Sequence, residues 1–329
     1  MKSKTGIKII GSGSFVPEKV LTNKQLEQMV DTSDEWITQR TGIKERRIAT
    51  KEMATSDLAT KAAEIAIADA KIAVDEIDLI IVATVTADML FPSCACIVQK
   101  NLGAHKAAAF DVQAACTGFI YGLSIARNFL WSKQYKTILL IGAESLTKIT
   151  NWEDRSTCVL FGDGAGAVIL RSMNTSAGIL SVLLGSDGRY GELLRVPAGG
   201  SRMPACIQTI TDKLHFIQMD GNAIFKLAVS HMYDAAKKAL ELCSVSCSDL
   251  ALIIPHQANL RIIQALAHKL KIPMEKVFLN IHKYGNISSA TTVIGIDEAR
   301  KIGRIKDGDI IELVAFGSGL TWGACTIRL

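Results

Sequence analysis

Short apolar runs rich in Ile, Val and Leu alternate along the chain with longer stretches in which apolar residues recur every three or four positions. The short runs read as strands covered on both faces and the long ones as helices, which together predict an α/β architecture. In the first half, strands are predicted at 7–10, 78–85, 107–113, 137–143 and 164–170, with helices at about 56–71, 93–101 and 117–132. In the second half, strands are predicted at 178–186, 250–255, 276–281, 309–316 and 321–328, with helices at about 222–242, 259–270 and 288–301. Helix 222–242 carries Ala228, Met232, Ala235, Ala239 and Leu242 at steps of four and three, which predicts one buried face. Helix 117–132 is apolar nearly all round and is predicted to be buried on most sides.

The order of elements repeats. Asp78-Leu79 and Asp249-Leu250 open corresponding strands, and Ala87 and Ala258 follow them. Cys116 and Asn286 each follow the next strand, and Ala143 and Ala315 lie in the one after. A near-constant offset of about 171 positions argues for duplication of one β-α-β-α-β-α-β-β unit, with halves at 1–175 and 176–329. Ligands of open α/β sheets bind beyond the carboxyl ends of the strands, so polar residues there are the functional candidates.

Composition narrows the class. Of 329 residues, 49% are hydrophobic and 21% charged, which excludes a disordered polar chain. The longest apolar stretch, Leu79–Val85 with one threonine in it, is far shorter than the ~20 residues of a membrane-spanning helix, so no membrane association is expected. The start, Met1-Lys2-Ser3-Lys4-Thr5-Gly6, has no apolar signal-peptide core, and a cytoplasmic protein is expected. A net charge of +5 suits an acidic partner or an anionic substrate but is no nucleic-acid footprint. The eight cysteines are expected to be reduced, and neither Cys94-x-Cys96 nor Cys243-x3-Cys247 has zinc-site spacing, so no metal is expected. Cys158 and Cys325 sit in apolar stretches and read as core thiols.

Cys116 differs. In Phe110-Asp111-Val112-Gln113-Ala114-Ala115-Cys116-Thr117-Gly118 a strand runs into a turn lined by small residues, and a helix is predicted to begin at the thiol, where its N-terminus lowers a thiol pKa. His256 follows the apolar strand Leu252-Ile253-Ile254-Pro255, and Asn286 follows Gly285 in a turn after which Ser288 or Ser289 can cap the next helix. Phe316-Gly317-Ser318-Gly319 joins two strands and offers backbone N–H groups of the kind that stabilise an oxyanion. A thiol nucleophile with two neutral donors, His and Asn, suits enolate stabilisation better than proteolysis. Two other readings stand beside it: a papain-like protease, which the order and spacing of Cys116, His256 and Asn286 fit but whose cysteine signature is absent, and a non-catalytic acyl-binding module, which an intact Cys-His-Asn set opposes. Gly11-Ser12-Gly13 is no GxGxxG, and Gly162-Asp163-Gly164-Ala165-Gly166 lacks the Lys-Ser/Thr of a P-loop, so close backbone packing is the expected reason for those glycines.

Six segments in order resemble the β-ketoacyl-acyl-carrier-protein synthase III family of the thiolase superfamily, over essentially the full length: DEWITQRTGI at 34–43, FDVQAACTGF at 110–119, DRSTCVLFGDGAGA at 154–167, PHQANLRI at 255–262, YGNISSA at 284–290 and FGSGLTWG at 316–323. The resemblance implies a thiolase-like five-layer α-β-α-β-α fold from two duplicated halves, and a homodimer. It implies condensation of an acyl-coenzyme A primer, acetyl-coenzyme A foremost, with malonyl-acyl-carrier protein, the thioester being a substrate and no cofactor being needed. A related condensing enzyme making a quinolone or polyketide starter shares the same three residues. By the resemblance, Cys116 accepts the acyl group, His256 and Asn286 bind the malonyl thioester oxygen, and the N–H groups of Cys116 and Ser318 form the oxyanion hole. Trp36 and Arg155 would flank the coenzyme A adenine, Arg40 would contact its phosphates, and Asn222, Phe225 and Asn259 would line the pantetheine tunnel. Phe91 would shape the primer pocket across the dimer, and Lys226, Arg261 and Lys269 would dock acyl carrier protein. The family often has three glycines where this chain has Gly317-Ser318-Gly319, and the stretch 199–216 is longer than usual.

Overall fold

The computed structural model describes residues 5–329; Lys2 and Lys4, part of the start read above as lacking signal-peptide character, lie outside the described residues. Five strands build a first sheet: β1 (Thr5–Phe15), β2 (Leu79–Ala83), β3 (Ala108–Val112), β4 (Thr137–Ser145) and β5 (Asp163–Asn174), in the order β1-β5-β4-β2-β3. β2 is parallel to both β3 and β4, and β5 is antiparallel to β4 and β1. Four strands build a second: β6 (Gly178–Ser186), β7 (Leu250–Pro255), β8 (Ile310–Gly317) and β9 (Thr321–Arg328), in the order β7-β8-β9-β6, with β7 parallel to β8 and the other pairs antiparallel. Read from β6, the second sheet repeats the order and sense of the first read from β1.

The counterpart of β3 is the one departure. The predicted strand 276–281 is reduced to a single parallel bridge between Ile253 and Val277. The fully buried Gln257 side chain does the rest of the pairing: Nε2 donates to the Pro255 and Phe278 carbonyls at 2.8 and 3.1 Å, and Oε1 accepts from the Asn280 and Ile281 N–H groups at 3.1 and 3.2 Å. One amide side chain thus satisfies backbone groups that a ladder would otherwise pair, and the chain turns away into the short helix Ile281–Tyr284.

Seven helices matter here: α1 (Asp34–Thr41), α2 (Thr55–Ala70), α3 (Cys94–Leu102), α4 (Gly118–Trp131), α5 (Gly221–Leu242), α6 (Leu260–Leu270) and α7 (Ala290–Lys301). α2 and α3 cover the outer face of the first sheet, and α5 and α6 cover the outer face of the second. α4 and α7 lie between the sheets, where Phe119, Ile120 and Leu123 meet Val293, Ile296 and residues of both sheets. The result is five layers, helix–sheet–helix–sheet–helix. β4 shows why its sequence is continuously apolar: Ile138 and Leu140 face the central helices while Leu139 and Ile141 face α2 and α3. Each such side chain contributes roughly 1.5–3 kcal/mol of burial. Gly11 and Gly13 lie within β1, where a Cβ would come 2.5 Å from backbone oxygens of Ala66 and Ala62 on α2. Close packing likewise explains Gly162 and Gly166, whose Cβ atoms would meet Tyr284 O at 2.3 Å and Val293 Cγ1 at 2.6 Å.

Leu242 corrects a second expectation. It is 65% exposed. The buried stripe of α5 is Ile224, Ala228, Met232, Ala235, Ala236, Ala239 and Leu240, which leaves the helix's last residue at the stripe's margin. Cys158 and Cys325 are buried core thiols, as expected. Among the described residues no helix is long and apolar enough to cross a membrane.

Candidate active site

The nucleophile candidate stands on a strained turn. β3 ends at Val112, Ala115 takes a left-handed φ of +46°, and a single 3-10 turn, Ala115–Thr117, precedes α4. An L-residue in that region costs energy that the surroundings must offset. Thr321 does so from the second half: its hydroxyl donates to the Ala114 carbonyl at 3.0 Å and lies 3.0 Å from Thr117 Oγ1. The helix proper therefore starts two residues beyond Cys116. The thiol is not acidified, contrary to expectation; burial pushes it up to about 12, only partly offset by the neighbouring Ser288 hydroxyl.

His256 leaves β7 with its N–H donating to Val314 O at 2.8 Å. The ring is buried, and burial pushes its pKa down to about 3, so it is neutral at physiological pH. Its Nδ1 lies 2.7 Å from Thr291 Oγ1 at the start of α7. Asn286 is fixed by backbone bonds from Asn286 N to Leu160 O at 2.9 Å and from Gly162 N to Asn286 O at 3.0 Å. Gly285 turns the chain into this position with φ +66°, and a Cβ there would lie 2.7 Å from Leu160 O. Asn286 Oδ1 accepts from Ser288 N at 2.8 Å, which orients its Nδ2 hydrogens as the group's remaining donors.

Cys116, His256 and Asn286 meet at one cavity of about 120 Å³, walled by Phe225, Asn259 and Gly317. On the other side of Cys116 lies a cavity of about 420 Å³, lined by Val85, Leu146, Phe161, Ile217, Ser288 and Ser318. The loop after β8 touches the nucleophile turn: a Cβ on Gly317 would come 2.7 Å from Cys116 N. In this loop only Gly319, at φ +135°, needs glycine's freedom; Ser318 does not, and its hydroxyl donates to Leu194 O. The long stretch after Gly199 forms a tight bridge, Gly200 to Met203, and a short helix, Ile207–Thr211, before Ile217 returns to the larger cavity.

The outlying candidates fall into three groups. On α1, Trp36 is half-buried, with the Arg155 guanidinium 4.5 Å and that of Arg40 5.6 Å from its ring centroid. Phe225 and Asn259 line the smaller cavity, and Asn259 Nδ2 donates to Arg40 O at 3.1 Å, tying α6 to α1. Asn222 is exposed in the first turn of α5 and does not line that cavity. Lys226, Arg261 and Lys269 are exposed on α5 and α6, with Arg261 5.7 Å over the Phe225 ring and Lys269 5.2 Å over that of Tyr233. Phe91 is 83% exposed in a loop held at both ends by carboxylates: Asp88 accepts from Ser56 N, and Asp111 accepts from Cys94 N and Ala95 N.

A family model described as 3-oxoacyl-[acyl-carrier-protein (ACP)] synthase III matches residues 110–188, and the model of that family's C-terminal part matches residues 240–329. The β-ketoacyl-[acyl-carrier-protein] synthase III of Caldanaerobacter subterraneus subsp. tengcongensis is 55% identical over 100% of this chain and 99% of its own length. The chain belongs to the β-ketoacyl-acyl-carrier-protein synthase III family. It is thus a condensing acyltransferase of the initiating step of fatty acid synthesis. The crystal structure of 3-oxoacyl-[acyl-carrier-protein] synthase III from Aquifex aeolicus VF5 superimposes with a TM-score of 0.92 at 49% identity, covering 98% of this chain and 100% of that one. The priming β-ketosynthase from the R1128 polyketide biosynthetic pathway is similar in fold, with a TM-score of 0.92, but only 33% identical, covering 98% and 96%. A starter-making enzyme is therefore the less favoured member of the two readings.

Three residues that sequence reasoning passed over surround the site candidates, Glu144, Gln257 and Thr291, and a fourth, Ser288, was expected only as a helix cap; neither Ser288 nor Ser289 caps α7 with its side chain, because the Ser289 hydroxyl turns to Ala83 O and Glu144 while that of Ser288 is unpartnered. A charged residue closing the apolar run of β4 and an amide beside His256 were the available signals.

Proposed function

We propose that this synthase carries its nucleophile, Cys116, on one half, 1–175, and its enolate-binding pair, His256 and Asn286, on the other, 176–329. An acyl-coenzyme A primer, acetyl-coenzyme A foremost, acylates Cys116, with the N–H groups of Cys116 and Ser318 receiving the oxyanion. A malonyl thioester then loses carbon dioxide, and its enolate oxygen is held by His256 and Asn286. The carbanion attacks the acyl-cysteine and releases a β-ketoacyl thioester. No cofactor enters this chemistry.

The observation that carries the reading is the convergence of a neutral His256 and a donor-oriented Asn286 on the cavity that holds Cys116. Thr291 completes it. Its hydroxyl has one hydrogen and two neighbours, His256 Nδ1 at 2.7 Å and Ser288 O at 3.0 Å. Given to Nδ1, the closer of the two, that hydrogen leaves the ring proton on Nε2 as a donor to substrate.

The coenzyme A adenine is assigned to the Trp36–Arg155 pair, its phosphates to Arg40, and the pantetheine arm to the passage between Phe225 and Asn259, with Asn222 near its mouth. Lys226, Arg261 and Lys269 form a basic face for the acidic acyl carrier protein. The exposed Phe91 loop and the open edge of β3 suit a second copy of the chain, giving a homodimer. Eight free thiols suit the reducing cytoplasm. Peptide mapping after treatment with acetyl-coenzyme A tests the assignment. The acetyl group is expected on Cys116, and its appearance on another cysteine, with Cys116→Ala still active, would overturn it.

A further inference from the structure

A thiol pushed up by burial is not a ready thiolate, so the proton of Cys116 needs a destination. The structure places a candidate on the same cavity wall. Ser288 Oγ is buried and lines the cavity that Cys116 opens on, yet it has no hydrogen-bond partner of normal geometry. Ser288 and Cys116 line one wall of that cavity, the next residue, Ser289, donates its hydroxyl to Glu144 Oε1 at 3.0 Å, and the Ser288 hydroxyl favours the charged form of both the thiol and the carboxyl. Ser288 is also held in a left-handed conformation, φ +44°, which for serine is costly. Its backbone N–H is committed to Asn286 Oδ1, so the turn that orients the amide donor also turns the Ser288 hydroxyl inward.

Glu144 ends β4 and is fully buried. Oε2 accepts from Thr86 Oγ1 at 2.7 Å, Val85 N at 3.1 Å and Thr84 Oγ1 at 3.3 Å, and Oε1 accepts from Ser289 Oγ at 3.0 Å. These donors are all neutral. The titratable groups around it are thiols, Cys116 and Cys94, with Asp57, Asp88 and Asp111 farther out around Cys94. Burial raises the carboxyl to about 6, which the hydroxyl and N–H donors hold from going higher. At neutral pH it is mostly a carboxylate that can accept a proton, next to an orphaned hydroxyl that can deliver one.

We infer that Ser288 and Glu144 form a proton relay for Cys116 during acyl transfer. This rests on the assignment of Cys116 as the acyl acceptor. The Cys116 S–H bond breaks as sulfur bonds to the thioester carbonyl carbon. The thiol proton passes to Ser288 Oγ while the Ser288 hydroxyl proton passes to the Glu144 carboxylate. Collapse of the tetrahedral intermediate breaks the bond to coenzyme A sulfur, and the proton returns through Ser288 to that leaving thiolate. The products are acyl-Cys116 and coenzyme A thiol, with Glu144 again a carboxylate.

The test is single-turnover acetylation by acetyl-coenzyme A, followed by intact mass from pH 5 to 10, in the wild-type chain and in Ser288→Ala, Ser288→Gly and Glu144→Gln. The wild-type rate is expected to rise with a midpoint near pH 6 and level off. Both Ser288 variants are expected to acylate about 10²-fold more slowly at pH 7, a larger loss than in malonyl-coenzyme A decarboxylation without primer, since the Ser288 N–H that orients Asn286 is kept. Ser288→Gly separates chemistry from strain, because glycine adopts φ +44° freely. Glu144→Gln is expected to slow acylation and lose the limb near pH 6. If Glu144 acted only through its charge, removing it would ease thiol ionisation and speed acylation. A wild-type rate in Ser288→Gly, or a faster Glu144→Gln, would overturn the relay. Should Glu144→Gln fail to fold, the two Ser288 variants still decide. Acetyl found away from Cys116 in the wild-type chain would instead remove the nucleophile assignment itself.

Discussion

The two halves have the same strand order and the same sense, yet they deliver different chemistry from the same place. In the first half the third parallel strand, β3, pairs over five residues with β2 and ends in the strained turn that presents Cys116. In the second half its counterpart pairs once, at Val277, and Gln257 ties the released chain down so that it reaches Asn286 by a turn. A full strand supplies a rigid platform and an open edge, whereas a released strand supplies a loop that can cross to Leu160 and Gly162 of the other half. The lesson is that a duplicated scaffold diversifies by how its strands end.

The comparison can be broken hardest at Gln257. Gln257→Ala leaves two carbonyls and two N–H groups without their buried partner, and a loss of about 3 kcal/mol or more is expected in denaturant unfolding. A loss below 1 kcal/mol would mean that the ladder role assigned to this side chain is wrong. Asp111→Ala tests the first half in the same way but removes only a helix cap, from Cys94 N and Ala95 N of α3, so about 1 kcal/mol is expected there.

The buried carboxyls of the two sheets sharpen the contrast. Glu144 on β4 has four neutral donors, and its pKa rises only to about 6. Glu312 on β8 has Thr326 as its donor and an unpartnered Oε1, and burial pushes it up to about 8. Folded Glu312 therefore holds its proton to a higher pH than the unfolded chain does. Between about pH 4.5 and 8 the folded state binds more protons, and stability falls as pH rises. At about 1.4 kcal/mol per unit of separation this amounts to a few kcal/mol across the window. Glu312→Gln should flatten the decline in thermal midpoint between pH 5 and 8, and an unchanged slope would place the titration elsewhere.

The smallest effect is expected at the surface. Arg261→Glu should raise KM for malonyl-acyl-carrier protein several-fold, more at low salt, and leave malonyl-coenzyme A kinetics nearly unchanged. Equal damage with both substrates would assign Arg261 to the site or the fold.

Much of this was legible in the chain. The Ile/Val/Leu runs located every strand of both sheets because strands held between two helix layers are apolar on both faces, and the 171-residue offset exposed the duplication. Cys116 and His256 stood out because each follows a strand end, and Asn286 because it follows Gly285 at the end of a stretch that reads as a strand. What was not legible depends on burial. Val277 and Phe278 look like strand residues, and only the fold shows the Gln257 side chain pairing the Phe278 carbonyl and the Asn280 and Ile281 N–H groups. The direction of the Cys116 shift was misread because a helix start is visible in sequence while desolvation of its thiol is not. Leu242 was placed inside by its spacing, which carries no information about where a helix outlasts its partner.

The central claim is that acyl transfer runs on Cys116 and its oxyanion hole, while His256 and Asn286 serve only the making of the carbanion. Rapid-quench intact mass of His256→Ala and Asn286→Ala, with acetyl-coenzyme A alone, measures the first step, and release of carbon dioxide from malonyl thioester measures the second. The account predicts acetylation of Cys116 within a few-fold of the wild-type rate and decarboxylation lowered by about 10²–10³-fold in each variant. Acetylation lost as fully as decarboxylation would contradict the division of labour between Cys116 and the His256–Asn286 pair.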